Sequence, residues 1–203
     1  MSPREAQAGL EDMAAFQRVG LIAFTRQGCL LAAHLAEQLG DFGYMSRAYG
    51  PERFAEECDV LSYGRLASWT AEHFASDDAL VFVGASGIAV RAIAPHVRDK
   101  FSDPAVVSVD EAGRFAVSLL SGHVGGANSL ARFIAATTGG QAVVSTATDV
   151  NGLFAVDEWA MRHGMVIVER VLAKQVSARL LEGAPVGFWT DLDGVDESKM
   201  RSL

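Results

Sequence analysis

The sequence predicts an α/β fold: a mostly parallel sheet flanked by helices, with one antiparallel hairpin and a small second α/β lobe. Three observations predict it. Short apolar runs of strand length, such as residues 19–24 (VGLIAF) and 79–83 (ALVFV), are each followed at once by helical periodicity. Turns rich in glycine and hydroxyl residues separate run from helix, as at 25–28 and 84–87. The apolar fraction, 50% of 203 residues against 21% charged, is enough to bury a core in one or two domains.

Taken in order, residues 19–24 form the first strand. Leu31, Leu35 and Leu39, with Ala32 and Ala36 beside them, then recur at helical spacing, and Gly40 is placed to end that helix. Strands are expected near 44–48 and 60–62, and a helix over 66–74. Residues 79–83, a continuous β-branched and aromatic run closed by Gly84, predict a buried strand. Ser86 and Gly87 lead into a helix over 88–93 that Pro95 limits. Residues 106–109 and 115–120 flank DEAGR, with Gly113 available for positive φ, and read as a hairpin. A helix carrying Leu130, Phe133, Ile134 and Thr137 follows, closed by Gly139 and Gly140, before a strand over 142–145. Beyond it come a helix near 157–163, a strand over 165–168, a helix marked by Leu172, Val176 and Leu180, and a strand-like segment over 186–189.

The expected organisation is a polar N-terminal extension over 1–18, an α/β domain over 19–145, and a small α/β region with a polar tail over 146–203. Alternation of this kind is Rossmann-like, and ligand sites in such sheets lie at the carboxyl ends of strands.

Composition excludes several functions. The longest apolar stretches are broken by Gly and Ser well before the roughly 18 residues that a membrane-spanning helix needs. Residues 1–11 mix charges where a secretory signal would be apolar, so a cytoplasmic location is expected, with no membrane partner. Cys29 and Cys58 fall in no CxxC pattern, and no histidine has a second ligand at metal-binding spacing. Buried free thiols and no metal site are therefore expected. A net charge of −8 argues against nucleic acid, whose binding requires clustered Lys and Arg. That charge is uneven: residues 1–83 carry a net −6, residues 84–132 a net +1, and residues 133–203 a net −3. An anionic ligand is best met in the middle third.

Three loops qualify as sites. Thr25 and Arg26 follow the first strand. Gly84, Ser86 and Gly87 form a tight entry to a helix, where free amides attract carboxylate or phosphate oxygens, although a plain turn with Ser86 as N-cap gives the same pattern. The loop matches neither GxGxxG nor GxxxxGK[ST]. The third, Ser121, Gly122, His123, Val124, Gly125, Gly126, Ala127 and Asn128, places a histidine, the residue type suited to acid/base work near neutral pH, among three glycines. His123 is the leading acid/base candidate; a flexible turn with Asn128 as N-cap is the structural alternative. Asp110 and Glu111 offer a carboxylate to orient a histidine or activate water, or form a solvated turn pair. Asp149 and Asn151 either line a cleft or cap a turn. No GxSxG elbow is present.

Together, GASGIAVRAIAP (84–95), DPAVVSVDEAGRFAVSLLSGHVGGAN (103–128) and TATDVNG (146–152) closely resemble the cobalamin-biosynthesis CbiG family of cobalt-precorrin-5A hydrolases, and GLIAFTRQG resembles that family's first strand and turn. The resemblance covers roughly residues 18–190. It implies an enzyme of the anaerobic corrin pathway that opens the ring A δ-lactone of cobalt-precorrin-5A and releases acetaldehyde. Cobalt then arrives inside the substrate and no separate cofactor is expected.

Arg26, Arg91, Arg114 and Arg132 are available to pair the macrocycle's carboxylates. On residue chemistry, His123 or Asp110 activates water while amides of the 121–126 loop, Ser121 included, hold the oxyanion. Full-length members of the family continue into a further C-terminal domain, so either a separate polypeptide supplies it as a partner or this chain is a truncated product. A non-catalytic corrinoid-binding subunit and a generic phosphate-binding α/β module are the competing readings.

Overall fold

An apolar run becomes a central strand where both of its faces can be covered. The computed structural model describes residues 17–99, 102–123 and 125–189, except the side chains of residues 158, 161 and 162. Most of the expected N-terminal extension and all of the tail from residue 190 onward lie outside the described residues. The chain divides between Val144 and Ser145 into two compact units.

The first unit holds β1 (Arg18–Ala23), α1 (Arg26–Asp41), β2 (Met45–Gly50), α2 (Glu52–Cys58), β3 (Leu61–Ser62), α3 (Leu66–Ser76), β4 (Ala79–Val83), α4 (Ser86–Ile93), β5 (Ala105–Val109), β6 (Phe115–Leu120), α5 (Ala127–Thr138) and β7 (Gln141–Val143). Its seven strands form one sheet in the order β3-β2-β1-β4-β5-β6-β7. Strands β1 to β5 run parallel. The β5–β6 pair is the expected antiparallel hairpin, turning on Gly113 at φ 68°. Strand β7 is parallel to β6, so both run against the rest.

Every residue of β4 and β5 is buried, which is why these runs carry no polar alternation. On one face, Cys29, Ala32, Leu35 and Leu39 of α1 and Leu130, Phe133 and Ile134 of α5 cover Leu21, Val81 and Val107. On the other, Trp69 and Phe74 of α3 and Ala89 and Ile93 of α4 cover Ile22, Leu80, Phe82 and Val106. Burying each large aliphatic side chain contributes about 2 kcal/mol. Both cysteines are buried free thiols, and burial, then the neighbouring Cys58, pushes the Cys29 thiol up to about 11.

Several expectations are corrected. Gly40 lies inside α1, which runs on to Asp41 and turns out through Gly43 at φ 88°. Helix α2 is not expected from the sequence, because seven largely charged residues carry little periodicity; it stops where Asp59 turns left-handed at φ 53°. Ser86 is the first residue of α4 rather than its cap, and Gly126 rather than Asn128 caps α5.

The second unit contains α6 (Ala147–Val150), α7 (Val156–Arg162) and α8 (Arg170–Leu181), with Trp159 packed edge-on to Phe188 at 5.2 Å. The strands expected over 165–168 and 186–189 are not formed. Val166 and Val168 are 86% and 87% exposed, and an extended segment without a paired neighbour and a covered face gains nothing as a strand. The expected second α/β lobe is therefore helical among the described residues.

Candidate active site

Helix α1 returns the chain from β1 to β2 on one side, and α4 carries it from β4 to β5 on the other, with the two helices on opposite faces. The loops leaving β1 and β4 thus diverge. This is the topological switch point at which doubly wound sheets open a crevice outside the carboxyl ends of their strands.

Three loops meet there. Thr25 caps α1: its Oγ1 accepts the Gly28 N–H at 3.0 Å and donates to Glu111 Oε2 at 2.7 Å. A Cβ on Gly28 would lie 3.4 Å from the Val83 carbonyl oxygen, so the first turn of α1 rests on the end of β4. Glu111 therefore reaches from β5 to the β1 loop across the exit of β4. Gly84 donates its N–H to the Val109 carbonyl at 2.7 Å and takes φ 157°; a Cβ there would strike the Phe24 ring at 2.9 Å. Phe24 in turn meets Tyr63 edge-on at 6.2 Å. Ser86 accepts a hydrogen bond from Ser108 Oγ at 3.0 Å, and no side chain caps the amides that open α4. Arg91 turns back to donate to the Gly87 carbonyl at 3.2 Å.

Asp110, Arg114 and Arg26 share this edge but are engaged. Asp110 accepts the backbone N–H groups of Ala112 at 3.0 Å and Phe115 at 2.7 Å and pairs with Arg114 at 3.6 Å. Partial burial raises its carboxyl, but those two amides and the guanidinium together outweigh burial and leave it below its ordinary value. Such a carboxylate fastens a turn and is a poor base. Arg26 pairs with Glu57 at 2.5 Å, which raises the guanidinium further.

The glycine-rich third loop lies at the opposite edge. Strand β6 is antiparallel, so Leu120 pairs with Val106 at the start of β5, and Ser121 donates its hydroxyl to the Asp103 carbonyl at 2.9 Å. At about 3.3 Å per residue, β5 alone separates the two edges by roughly 13 Å. Asp110 therefore cannot act together with His123 and Ser121 on one bond, as the sequence order invited. The loop is also consumed by its own folding. The N–H groups of Gly126, Ala127 and Asn128 donate to the carbonyls of His123, Ser121 and Gly122. Ser121 takes φ 56°, and a Cβ on Gly125 would collide with the Ser121 side chain, while one on Gly122 would meet Asn128 Oδ1 at 2.7 Å. These glycines serve close packing, and the Ala127 and Asn128 amides that open α5 are bonded within the loop.

Arg132 lies half-buried in the middle of α5. Asp149 and Asn151 belong to the second unit and dress α6: Thr146 donates to Asp149 at 2.6 Å, and Asn151 Nδ2 to the Ala147 carbonyl at 2.8 Å. The sequence reading overlooked Ser108, Phe24 and Tyr63. A serine inside an otherwise apolar strand (AVVSV) was the available signal for the first, and an aromatic at the strand-to-cap junction for the second. Two surface hollows stand apart from the switch point: one of about 270 Å³ beside His96, Arg98 and Asp103, and a groove of about 880 Å³ along α1 and β2. Among the described residues, no group of three or more His, Cys, Asp or Glu side chains could hold a metal ion, and no helix is long and apolar enough to cross a membrane.

Residues 68–149 match the family described as Cobalamin synthesis G N-terminal (CbiG), and residues 154–201 match its Cobalamin biosynthesis central region. A cobalt-precorrin-5A hydrolase of Salmonella typhimurium is 40% identical over 89% of this chain and 50% of its own length. One from Priestia megaterium is 36% identical over 72% of this chain and 39% of its own. A solved cobalamin biosynthesis protein G homolog from Sulfolobus solfataricus shares the fold, with a TM-score of 0.52 and 19% identity over 88% of this chain and 52% of that one. The chain spans about half the length of the curated relatives it matches. With two successive regions of one family matched in their order along the sequence, the chain belongs to the CbiG family and carries its N-terminal and central regions.

Proposed function

We propose that this chain provides the hydrolytic site of a cobalt-precorrin-5A hydrolase, acting in the cytoplasm on a cobalt macrocycle whose rim carries carboxylates. Cobalt is part of the substrate, and no resident cofactor is required. The observation that carries this reading is the switch-point crevice, where an uncapped helix start and a carboxylate meet beside the Phe24 and Tyr63 rings. The α4 amides and Arg91 suit acetate and propionate groups of the ligand, and the two rings suit its apolar plane.

In the proposed reaction, water adds to the lactone carbonyl and the ring acyl–oxygen bond breaks. The freed alcohol then loses its proton and collapses to acetaldehyde, the electron pair of the broken carbon–carbon bond passing to the macrocycle with a proton. The 121–126 loop receives no chemical role, and a separate polypeptide bearing the family's C-terminal region is the proposed partner.

Purified chain incubated anaerobically with cobalt-precorrin-5A, alone and with that C-terminal region, is expected to release acetaldehyde, read as NADH consumed by alcohol dehydrogenase. Corrinoid binding without acetaldehyde in either arm would replace the hydrolase with a carrier. Binding of sugar phosphates but not corrinoids would discard both.

A further inference from the structure

We infer that Glu111 is the general base of the lactone-opening step and that Thr25 is its positioning residue, a role that rests on the hydrolase reading above. The structure gathers three carboxylates at the carboxyl edge, Asp110, Glu57 and Glu111. Asp110 spends its oxygens on the Ala112 and Phe115 amides and on Arg114. Glu57 is taken by Arg26. Of the three, Glu111 alone is held by a neutral hydroxyl and has no cationic partner among the described residues.

The manner of holding matters. The Thr25 hydroxyl has a single hydrogen and already accepts the Gly28 N–H, so that hydrogen points to Glu111 Oε2 at 2.7 Å. The bond fixes Oε2 as an acceptor and leaves Oε1, which has no hydrogen-bond partner among the described residues, to receive a proton. Both side chains are exposed, so water reaches them. The bridge lies over the exit of β4, beside the uncapped start of α4 where the substrate's carboxylates are proposed to sit.

The step balances without any further reagent. Oε1 takes a proton from water as the water oxygen bonds to the lactone carbonyl carbon, whose π pair moves onto its oxygen. That pair returns, the acyl–oxygen bond breaks, and the departing ring oxygen recovers the proton from the Glu111 carboxylic acid.

The test is acetaldehyde release by the full chain, assayed as above, with kcat and KM measured across pH. Glu111→Gln is expected to lower kcat by about 100-fold or more with KM changed less than about threefold, and to lose the acid-side fall of kcat/KM. Thr25→Val is expected to lower kcat by roughly 10-fold and to move that acid limb, and Thr25→Ser to restore both, which a merely structural cap would not do. Thermal melts confirm that the variants are folded. Wild-type turnover with Glu111→Gln within threefold of it overturns the assignment, and loss on His123→Ala instead transfers the base to the amino edge. Absence of acetaldehyde from wild type in both arms overturns the hydrolase reading, and the role of Glu111 with it.

Discussion

At the scale of single residues, the two acids of the DEAGR turn divide their work. Asp110 closes the hairpin and Glu111 points outward to Thr25. Removing Asp110 as Asp110→Ala is expected to cost about 2 kcal/mol, since the lost bonds end on a charged group, with little change in turnover beyond what loosening of Glu111 causes. The pH dependence has a definite sign. The folded carboxyl lies below its ordinary value of 3.8, so the contribution of Asp110 is complete above that value and is lost as pH falls through the depressed one. Urea midpoints of wild type and Asp110→Asn are therefore expected to differ at pH 7 and to converge as pH falls through the depressed value. A constant difference across that range would show that packing, rather than charge, sustains the turn.

At the scale of elements, legibility followed burial. Strands β4 and β5 were readable because both faces are covered, and the hairpin because its turn chemistry is local. Helix α2 was not, since its residues make few apolar contacts and its stop depends on one left-handed aspartate. Of the loops singled out in the sequence, the Thr25 and Gly84 loops meet at the switch point, whereas Ser121 and the glycines that follow it lie at the other edge of the sheet. The hairpin was itself expected, but an antiparallel strand reverses everything that follows it, and only tracking that reversal sends the glycine-rich loop to the far edge.

Gly40 tests the same lesson on a helix. A glycine that ends a helix is left-handed and resists substitution, but Gly40 sits within α1 with Ser46 Oγ no nearer than 3.8 Å to an added Cβ. Gly40→Ala is therefore expected to stabilise the protein by about 0.5–1 kcal/mol, read from the urea midpoint. Destabilisation would return the helix end to Gly40.

At the scale of the whole molecule, stability is unequally shared. Among the described residues, all seven strands and both buried apolar clusters belong to the first unit. In the second, the buried apolar residues among those described are Ala155, Ala160 and Leu180, while Val166, Val168 and Val171 stand exposed. Fixing a residue's backbone costs about 1–2 kcal/mol, which three buried side chains and an aromatic cluster around Trp159 do not offset across a segment of that length. A fragment of residues 17–144 is accordingly expected to keep a native near-ultraviolet circular dichroism signal from Trp69 and its aromatic neighbours and to melt in one cooperative transition. A fragment of residues 145–203 alone is expected to show helical far-ultraviolet signal at most, with no cooperative melt. Trp69 reports the outcome directly, because it is buried between Tyr49 and Phe82 in the first unit. Exposed Trp69 fluorescence and gradual melting of the 17–144 fragment would show that the sheet depends on residues beyond Val144, and the switch-point site would then have to be studied only in the full chain.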